Sequence, residues 1–189
     1  GNTFAGCIAR DLGTVLTLVG CVVRDGKADG VHVHSAATCV MHGSDIVRNQ
    51  SANIIARDEN TSVTLRQCQV FEGSAGGVEV MHKAVVVMHA NFLSRNTLNA
   101  IEVGGSSRAS LTNNRIWDGG ACGAFIHTGS KATLEDNDIA RNANDCVGVR
   151  DVGSDVVLRR NDIHDGGEEG LSVYNGASLL AEDNTIHGN

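Results

Sequence analysis

The chain has 189 residues, 41% of them hydrophobic and 20% charged, with 23 glycines, no proline, 3% aromatics and a net charge of −7. This is enough apolar material for the core of one domain, and the composition is neither collagen-like nor that of a disordered chain. No apolar run reaches the roughly 18 residues of a membrane helix, and the acidic balance argues against nucleic acid, which calls for a concentrated basic face.

Taken in chain order, the first segment with strand character is Cys7-x-Ala9, an apolar alternation that returns as Val31-x-Val33, Ile54-x-Ala56, Val78-x-Val80, Ile101-x-Val103, Ala124-x-Ile126, Val147-x-Val149 and Leu171-x-Val173. Next comes a single large apolar residue: Leu18, Met41, Leu65, Met88, Leu111, Leu134 and Leu158, weakening to Ala181. Three residues later stands a small or amide side chain, Cys21, Ser44, Cys68, Asn91, Asn114, Asn137, Asn161 and Asn184. Two further on is an aliphatic one, Val23, Ile46, Val70, Leu93, Ile116, Ile139, Ile163 and Ile186. Short period-two segments bounded by turn residues are strands. A unit of 23 or 24 residues holding three of them, repeated eight times, predicts an all-β, right-handed, single-stranded parallel β-helix. Eight coils spaced about 4.8 Å apart make a rod about 38 Å long. A leucine-rich repeat has a similar period but needs a helical convex side, and no stretch has helical periodicity.

Each coil then turns a corner at Gly26, Asn49, Gly73, Asn96, Gly119, Asn142, Gly166 or Asn189. Glycine and asparagine accept a left-handed backbone most readily and proline cannot adopt one, so this row is expected to be left-handed. The residue before it alternates in charge (Asp25, Arg48, Glu72, Arg95, Asp118, Arg141, Asp165), with Gly188 ending the series. Stacked in register, each acid is expected to face arginines above and below, a ladder that fixes register. The string IleAlaArgAsp at residues 8–11 and 55–58 repeats at the same two-coil spacing. Stacked amides at Asn91, Asn114, Asn137, Asn161 and Asn184 are expected to hydrogen-bond along the rod.

The six cysteines lack CxxC spacing, and Cys21 and Cys68 replace asparagine in the ladder row, so all are expected to be reduced, hydrophobe-like thiols. With an N-terminus that lacks a secretory pattern, this points to a cytoplasmic setting. The sequons at Asn49 and Asn60 point weakly the other way. His164 and His187 fall on adjacent coils where they touch, but without a carboxylate they make a poor metal site. No metal and no cofactor are expected. Trp117 and Phe71, two coils apart, read as packing residues.

The outward positions of the first strand row hold the chemistry. They read Ile8, His32, Ile55, Glu79, Glu102, Phe125, Gly148 and Ser172, then Arg10, His34, Arg57, Met81, Gly104, His127, Arg150 and Tyr174. In-register stacking puts Glu79 and Glu102 about 5 Å apart, a spacing suited to a cation or to the carboxylate pair of a retaining glycosidase, with His82, His127 and Arg57 near to tune them. The alternative is an exposed, splayed and merely solvated pair. Phe125 and Tyr174 can stack a sugar ring or anchor a peptide. Glu79, Glu102 and His82 are the catalytic candidates. The candidate binding face is His32, His34, Arg57, Glu79, Met81, Glu102, Phe125, His127, Arg150 and Tyr174.

The strings AsnAspIleHisAspGlyGlyGluGluGlyLeuSerVal (161–173) and AsnAspIleAlaArgAsn (137–142) resemble the β-helix repeats of the pectin-lyase-like superfamily. They are most similar to the regular coils of NosD-like periplasmic proteins and of F-box proteins that recognise substrates with a β-helix. The resemblance runs over the whole chain and implies the fold. It implies no catalytic residue, because the superfamily's pectate lyases and polygalacturonases build clefts from long loops that a uniform coil length leaves no room for. Their Asn-Thr-Asp, paired-aspartate and His-Gly motifs are missing in order. Arg115-Ile116-Trp117 is similar to their Arg-Ile-Lys without the lysine, and Asp58 and Asp151 are four coils apart, too far for a calcium cluster.

The leading expectation is therefore a non-catalytic module, residues 1–189 forming a single domain cut from a larger intracellular protein, that presents its flat face to a protein or peptide. The alternative is carbohydrate binding or processing through Glu79 and Glu102, which as an enzyme would be a polysaccharide hydrolase, lyase or epimerase. Third is a structural spacer that associates end to end through uncapped coils.

Overall fold

A computed structural model describes residues 3–189. The chain winds as a three-sided solenoid, its first turn supplying Cys7–Arg10, Val15–Val19 and Val22–Arg24 and its last Leu171–Tyr174, Ser178–Glu182 and Thr185–His187. Each side is an eight-stranded parallel sheet in which every strand pairs with its equivalents one turn before and after. No helix forms among the described residues, which removes the leucine-rich-repeat alternative. We call the sheets first, second and third in the order of these strands.

The rows of the sequence become columns of the core. Val31, Ile54, Val78, Ile101, Ala124 and Val147 stack in one column, and Met41, Leu65, Met88, Leu111, Leu134 and Leu158 in another, all at most 1% exposed. Each fully buried Leu or Ile contributes roughly 1.5–3 kcal/mol of transfer free energy. Four cysteines, Cys39, Cys68, Cys122 and Cys146, are buried free thiols, and burial pushes Cys39 up to about 12 and Cys122 up to about 11, far from reactivity.

The amide ladder forms as expected. Asn114 Oδ1 accepts from the Asn91 backbone N–H at 3.0 Å and from Asn91 Nδ2 at 2.9 Å, while Asn114 Nδ2 donates to the Met88 carbonyl at 3.2 Å. The same three bonds recur at Asn137, Asn161 and Asn184.

The corner after the third sheet differs from the expectation. The left-handed residue is not the Gly/Asn position but the charged one before it: Asp25, Arg48, Glu72, Arg95, Asp118 and Arg141 have φ between 51° and 57°. Glycine is required one position later for another reason. A Cβ on Gly119 would lie 2.8 Å from Asn142 Oδ1 of the next coil, and one on Gly26 would lie 3.0 Å from Asn49 Oδ1. That oxygen accepts the glycine N–H (3.0 Å at Gly119, 3.1 Å at Gly26), and the amide nitrogen donates to the carbonyl of Ile116 or Val23. The asparagine of one coil therefore fills the space left by the glycine of the coil before. The arginines reach back in the same direction. Arg48 grips Asp25 at 2.8 Å and only approaches Glu72 at 3.9 Å, Arg95 grips Glu72 at 2.9 Å, and Arg141 grips Asp118 at 2.8 Å. The charge ladder is thus a series of mainly paired coils, and the structural unit is an acid-Gly coil followed by an Arg-Asn coil. Proline is shut out by the left-handed corners of every turn and by ladder donors throughout.

Candidate functional site

The outward face of the first sheet carries the candidate residues in the predicted register. Glu79 stacks on Ile55 and Glu102, and Glu102 on Phe125. The environments of the two glutamates differ. Glu102 Oε1 lies 3.1 Å from His127 Nε2, and its Oε2 accepts from Asn99 Nδ2 at 3.0 Å. The His127 hydrogen bond is the main influence holding the Glu102 carboxyl below its ordinary range, against the opposing effect of burial. Glu79 has no such partner. Burial pushes it up, the charges of Glu102 and Asp29 push the same way, and a backbone hydrogen bond at Gly76 opposes them weakly. Gly76 also makes room, since a Cβ there would sit 2.8 Å from Glu79 Oε1.

His127 is held on every side. Its Nδ1 is 2.7 Å from Thr128 Oγ1, its ring stacks on Phe125 with centroids 5.1 Å apart, and Arg150 lies 4.9 Å over that phenyl ring. Gly104 faces it from the preceding coil, where a Cβ would come within 2.6 Å of His127 Cε1 and 2.9 Å of Met81 Sδ. Gly148 lets Phe125 lie flat, a Cβ there standing 3.1 Å from the ring. A shallow cavity of about 270 Å³, lined by Asn99, Cys122, Phe125, Asp145 and Tyr174 among others, opens beside this group. Tyr174, 41% exposed, is the register neighbour of Arg150.

A second His–acid pair lies toward the other end of the face. His32 Nδ1 is 3.0 Å from Asp29 Oδ2 and His34 packs edge-on against the His32 ring at 5.0 Å. Burial first, then the charge of Arg57, lowers the His32 pKa against the pull of Asp29. His34 Nδ1 lies 2.8 Å from Ser35 Oγ.

The structure therefore unites Glu79, Glu102, Phe125, His127 and Arg150. It does not bring in His82, which occupies a left-handed corner (φ 54°) beside Asp58, Lys83 and Gly105 and is no partner of either glutamate. Arg57 acts on His32, not on the glutamate pair. Asp29, Asn99 and Asp145, which are not among the residues expected from the sequence, also contact side chains of this face. All stand two residues before a first-sheet strand, in a row reading Asp29, Ala52, Gly76, Asn99, Cys122, Asp145 and Glu169, whose polar members were the available signal. Asp145 accepts from Ser172 Oγ and from the Glu169 N–H.

A solenoid of uniform parallel coils closed by three sheets defines the class: a right-handed parallel β-helix. The sequence pattern of the family described as right handed beta helix region matches residues 2–103 and 54–189, and the chain belongs to that family. Among solved structures it is similar to the periplasmic alginate epimerase AlgG (TM-score 0.88, 16% identity, 97% of this chain and 47% of that one). It is also similar to the A-module of the Azotobacter vinelandii mannuronan C-5 epimerase AlgE6 (0.82, 16%, 97% and 55%) and to pectate lyase Pel9A (0.58, 9%, 88% and 52%). The chain spans about half the length of these structures, and at such identities the likeness is one of fold. No curated protein matches it by sequence.

Proposed function

We propose that this β-helix is a carbohydrate-processing unit whose first-sheet face holds a glycan beside Glu79 and Glu102. The observation that carries this is the split between two stacked glutamates: burial and the neighbouring acids push the Glu79 carboxyl up, while the contacts with His127 and Asn99 hold the Glu102 carboxyl down. Pairs pushed apart in this way divide acid and base work between them. Glu79 is placed to give a proton to a leaving oxygen. Glu102 stabilises or attacks the developing positive carbon, and a separation near the coil spacing of about 5 Å suits retention of configuration. Tyr174, exposed at the edge of this face, offers an apolar ring to a sugar. That similar folds belong to alginate epimerases and a pectate lyase supports a polysaccharide over a peptide. The protein-docking reading uses the same face but has no observation of its own in favour.

The test is a panel of neutral and uronate polysaccharides, with binding followed by calorimetry and turnover by proton NMR of the anomeric signals. Glu79→Gln is expected to bind and not turn over, and Glu102→Gln to lose both in part. Silence across the panel, or turnover unchanged in both variants, would overturn the proposal.

A further inference from the structure

Left-handed backbone recurs at the corners of this rod, and among the described residues Thr128 is the only β-branched side chain that adopts it, at φ 52°. A positive φ is a genuine outlier for such a side chain, because the branched Cβ crowds the backbone. The same corner of other coils holds Ser35, Asp58, Gly105, Asp151 and Asn175, none of them branched at Cβ. Thr128 is exposed, so the packing of the core does not ask for its methyl group. Residues strained in this way cluster at active sites and ligand clamps.

The Thr128 hydroxyl meets His127. Its Oγ1 lies 2.7 Å from Nδ1, while Nε2 of the same ring lies 3.1 Å from Glu102 Oε1. An ionised carboxylate only accepts, so Nε2 carries the hydrogen of that contact. In the neutral ring Nδ1 is then a bare acceptor and the hydroxyl donates to it; in the cationic ring Nδ1–H donates and the hydroxyl accepts. A hydroxyl serves both states by rotating, so the contact holds in either one. The His127 side chain is only 14% exposed, and a ring nitrogen left without a partner there favours turning the ring away from Glu102. Two substituents on Cβ restrict χ1 of Thr128, and its own N–H is tied to Asp151 Oδ2 of the next coil at 3.2 Å. Four coils earlier His34 and Ser35 repeat the arrangement, Nδ1 to Oγ at 2.8 Å and Ser35 N–H to Asp58 Oδ2 at 3.1 Å. Serine therefore suffices for the contact, and the branched residue adds stiffness where Glu102 depends on it.

We propose that Thr128 is a positioning residue for the glutamate pair: its hydroxyl holds the His127 ring with Nε2–H on Glu102, and the strained left-handed corner is what aims it. Thr128 acts through His127 and touches no reacting atom. This role rests on the reading of Glu79 and Glu102 as a carbohydrate-processing pair, while the contact itself is made without a glycan.

Three variants separate positioning from structure. Thr128→Ser keeps the hydroxyl, Thr128→Val keeps the branched shape without it, and Thr128→Gly removes both the hydroxyl and the strain; circular dichroism checks the fold of each. Carboxyl-detected NMR without glycan is expected to find Glu102 unmoved in Thr128→Ser and shifted upward in Thr128→Val and Thr128→Gly, because the His127 contact is the main influence holding that carboxyl down. Imidazole nitrogen NMR at alkaline pH is expected to report Nε2–H on His127 in the parent and in Thr128→Ser, and a mixture of tautomers in Thr128→Val. On a polysaccharide that the parent turns over, Thr128→Val is expected to lose turnover several-fold while still binding, and Thr128→Ser to keep it. A parent that turns over a glycan, with Glu102 and the rate unchanged in Thr128→Val, overturns this proposal alone, as does a mixture of tautomers already present in the parent. A parent silent across the panel overturns the carbohydrate reading, and with it the catalytic consequence assigned to Thr128, even where Glu102 moves as expected.

Discussion

Glu102 Oε1 lies 3.1 Å from His127 Nε2, whereas Glu79, its in-register neighbour one coil away, has no such side-chain partner among the described residues. Both are glutamates in one outward row of one sheet, so the backbone treats them alike and the difference is made by the side chains beside them. His127 reaches Glu102 from the following coil because Gly104 leaves the space, and Asn99 reaches it from the corner. Adjacent carboxylates would ordinarily repel; here one gives up its charge more readily and the other keeps it.

Carboxyl-detected NMR titration is expected to place Glu102 below and Glu79 above the ordinary glutamate range, with His127→Ala moving Glu102 upward. The effects on stability have opposite signs. Glu79 has a native pKa above its unfolded one, so the native state keeps a proton the unfolded chain has lost, and its contribution erodes as pH rises from the unfolded through the native value. Glu102, with a lowered native pKa, contributes above the unfolded value, and that contribution is lost as pH falls through the native one. Urea unfolding at neutral pH should show Glu79→Gln more stable than the parent and Glu102→Gln less so. Coincident titration of the two groups would remove the acid–base assignment.

Gly104→Ala separates site geometry from fold. Its Cβ would come 2.6 Å from His127 Cε1 and 2.9 Å from Met81 Sδ, both side-chain atoms on the outer face, with the core column untouched. Displacing His127 from Glu102 should raise the Glu102 pKa and reduce turnover, while the circular dichroism spectrum stays that of the parent. A variant with parental turnover would show that the His127 contact is dispensable.

The fold was legible because every coil buries equivalent side chains, so the Leu, Asn and Ile rows report the interior directly at a constant period. The left-handed corner was read one residue late. Glycine answers two needs that look the same in sequence, a positive φ and a missing Cβ, and Gly119 serves the second while Asp118 takes the strain. The glutamate pair was legible because parallel register is set by the repeat. Asn99 and the three aspartates around His164 and His187 were not, because they reach their partners from a corner or from a different row of the same face. A row-by-row reading aligns residues along the rod and is blind to contacts across rows.

The glycine–asparagine complementarity makes a quantitative prediction. Gly119→Ala does not ask for a difficult φ, so its cost is the contact with Asn142 Oδ1, on the order of 1–3 kcal/mol as for other overpacked sites. Asn142→Ala alone leaves the Ile116 carbonyl without its amide donor and the Gly119 N–H without its acceptor, about 1–3 kcal/mol for each buried group. In the double variant the new methyl enters space the amide has left, so the summed cost should shrink by about 1 kcal/mol or more. Additive losses in urea unfolding would show that the two side chains do not compete for one volume.

Ala90 tests the strain itself. It sits at φ 55° just before the amide ladder, at the position held by Gly20 and Gly43 in earlier coils and by Asn113 and Asp136 in later ones. An alanine in this region pays roughly 1–2 kcal/mol of Cβ–carbonyl crowding that glycine avoids, and glycine gives back roughly 0.5–1 kcal/mol through the greater freedom of the unfolded chain. Ala90→Gly should therefore raise stability by about 0.5–1 kcal/mol, the reverse of the usual effect of glycine within a sheet protein. Asn114→Ala, one turn on, should cost on the order of 3 kcal/mol, because it strips the acceptor from Asn91 N–H and Nδ2 and the donor from the Met88 carbonyl. Unfolding both variants in urea under one set of conditions compares them directly, and a destabilised Ala90→Gly would mean that the corner gains from its methyl group what it loses in backbone strain.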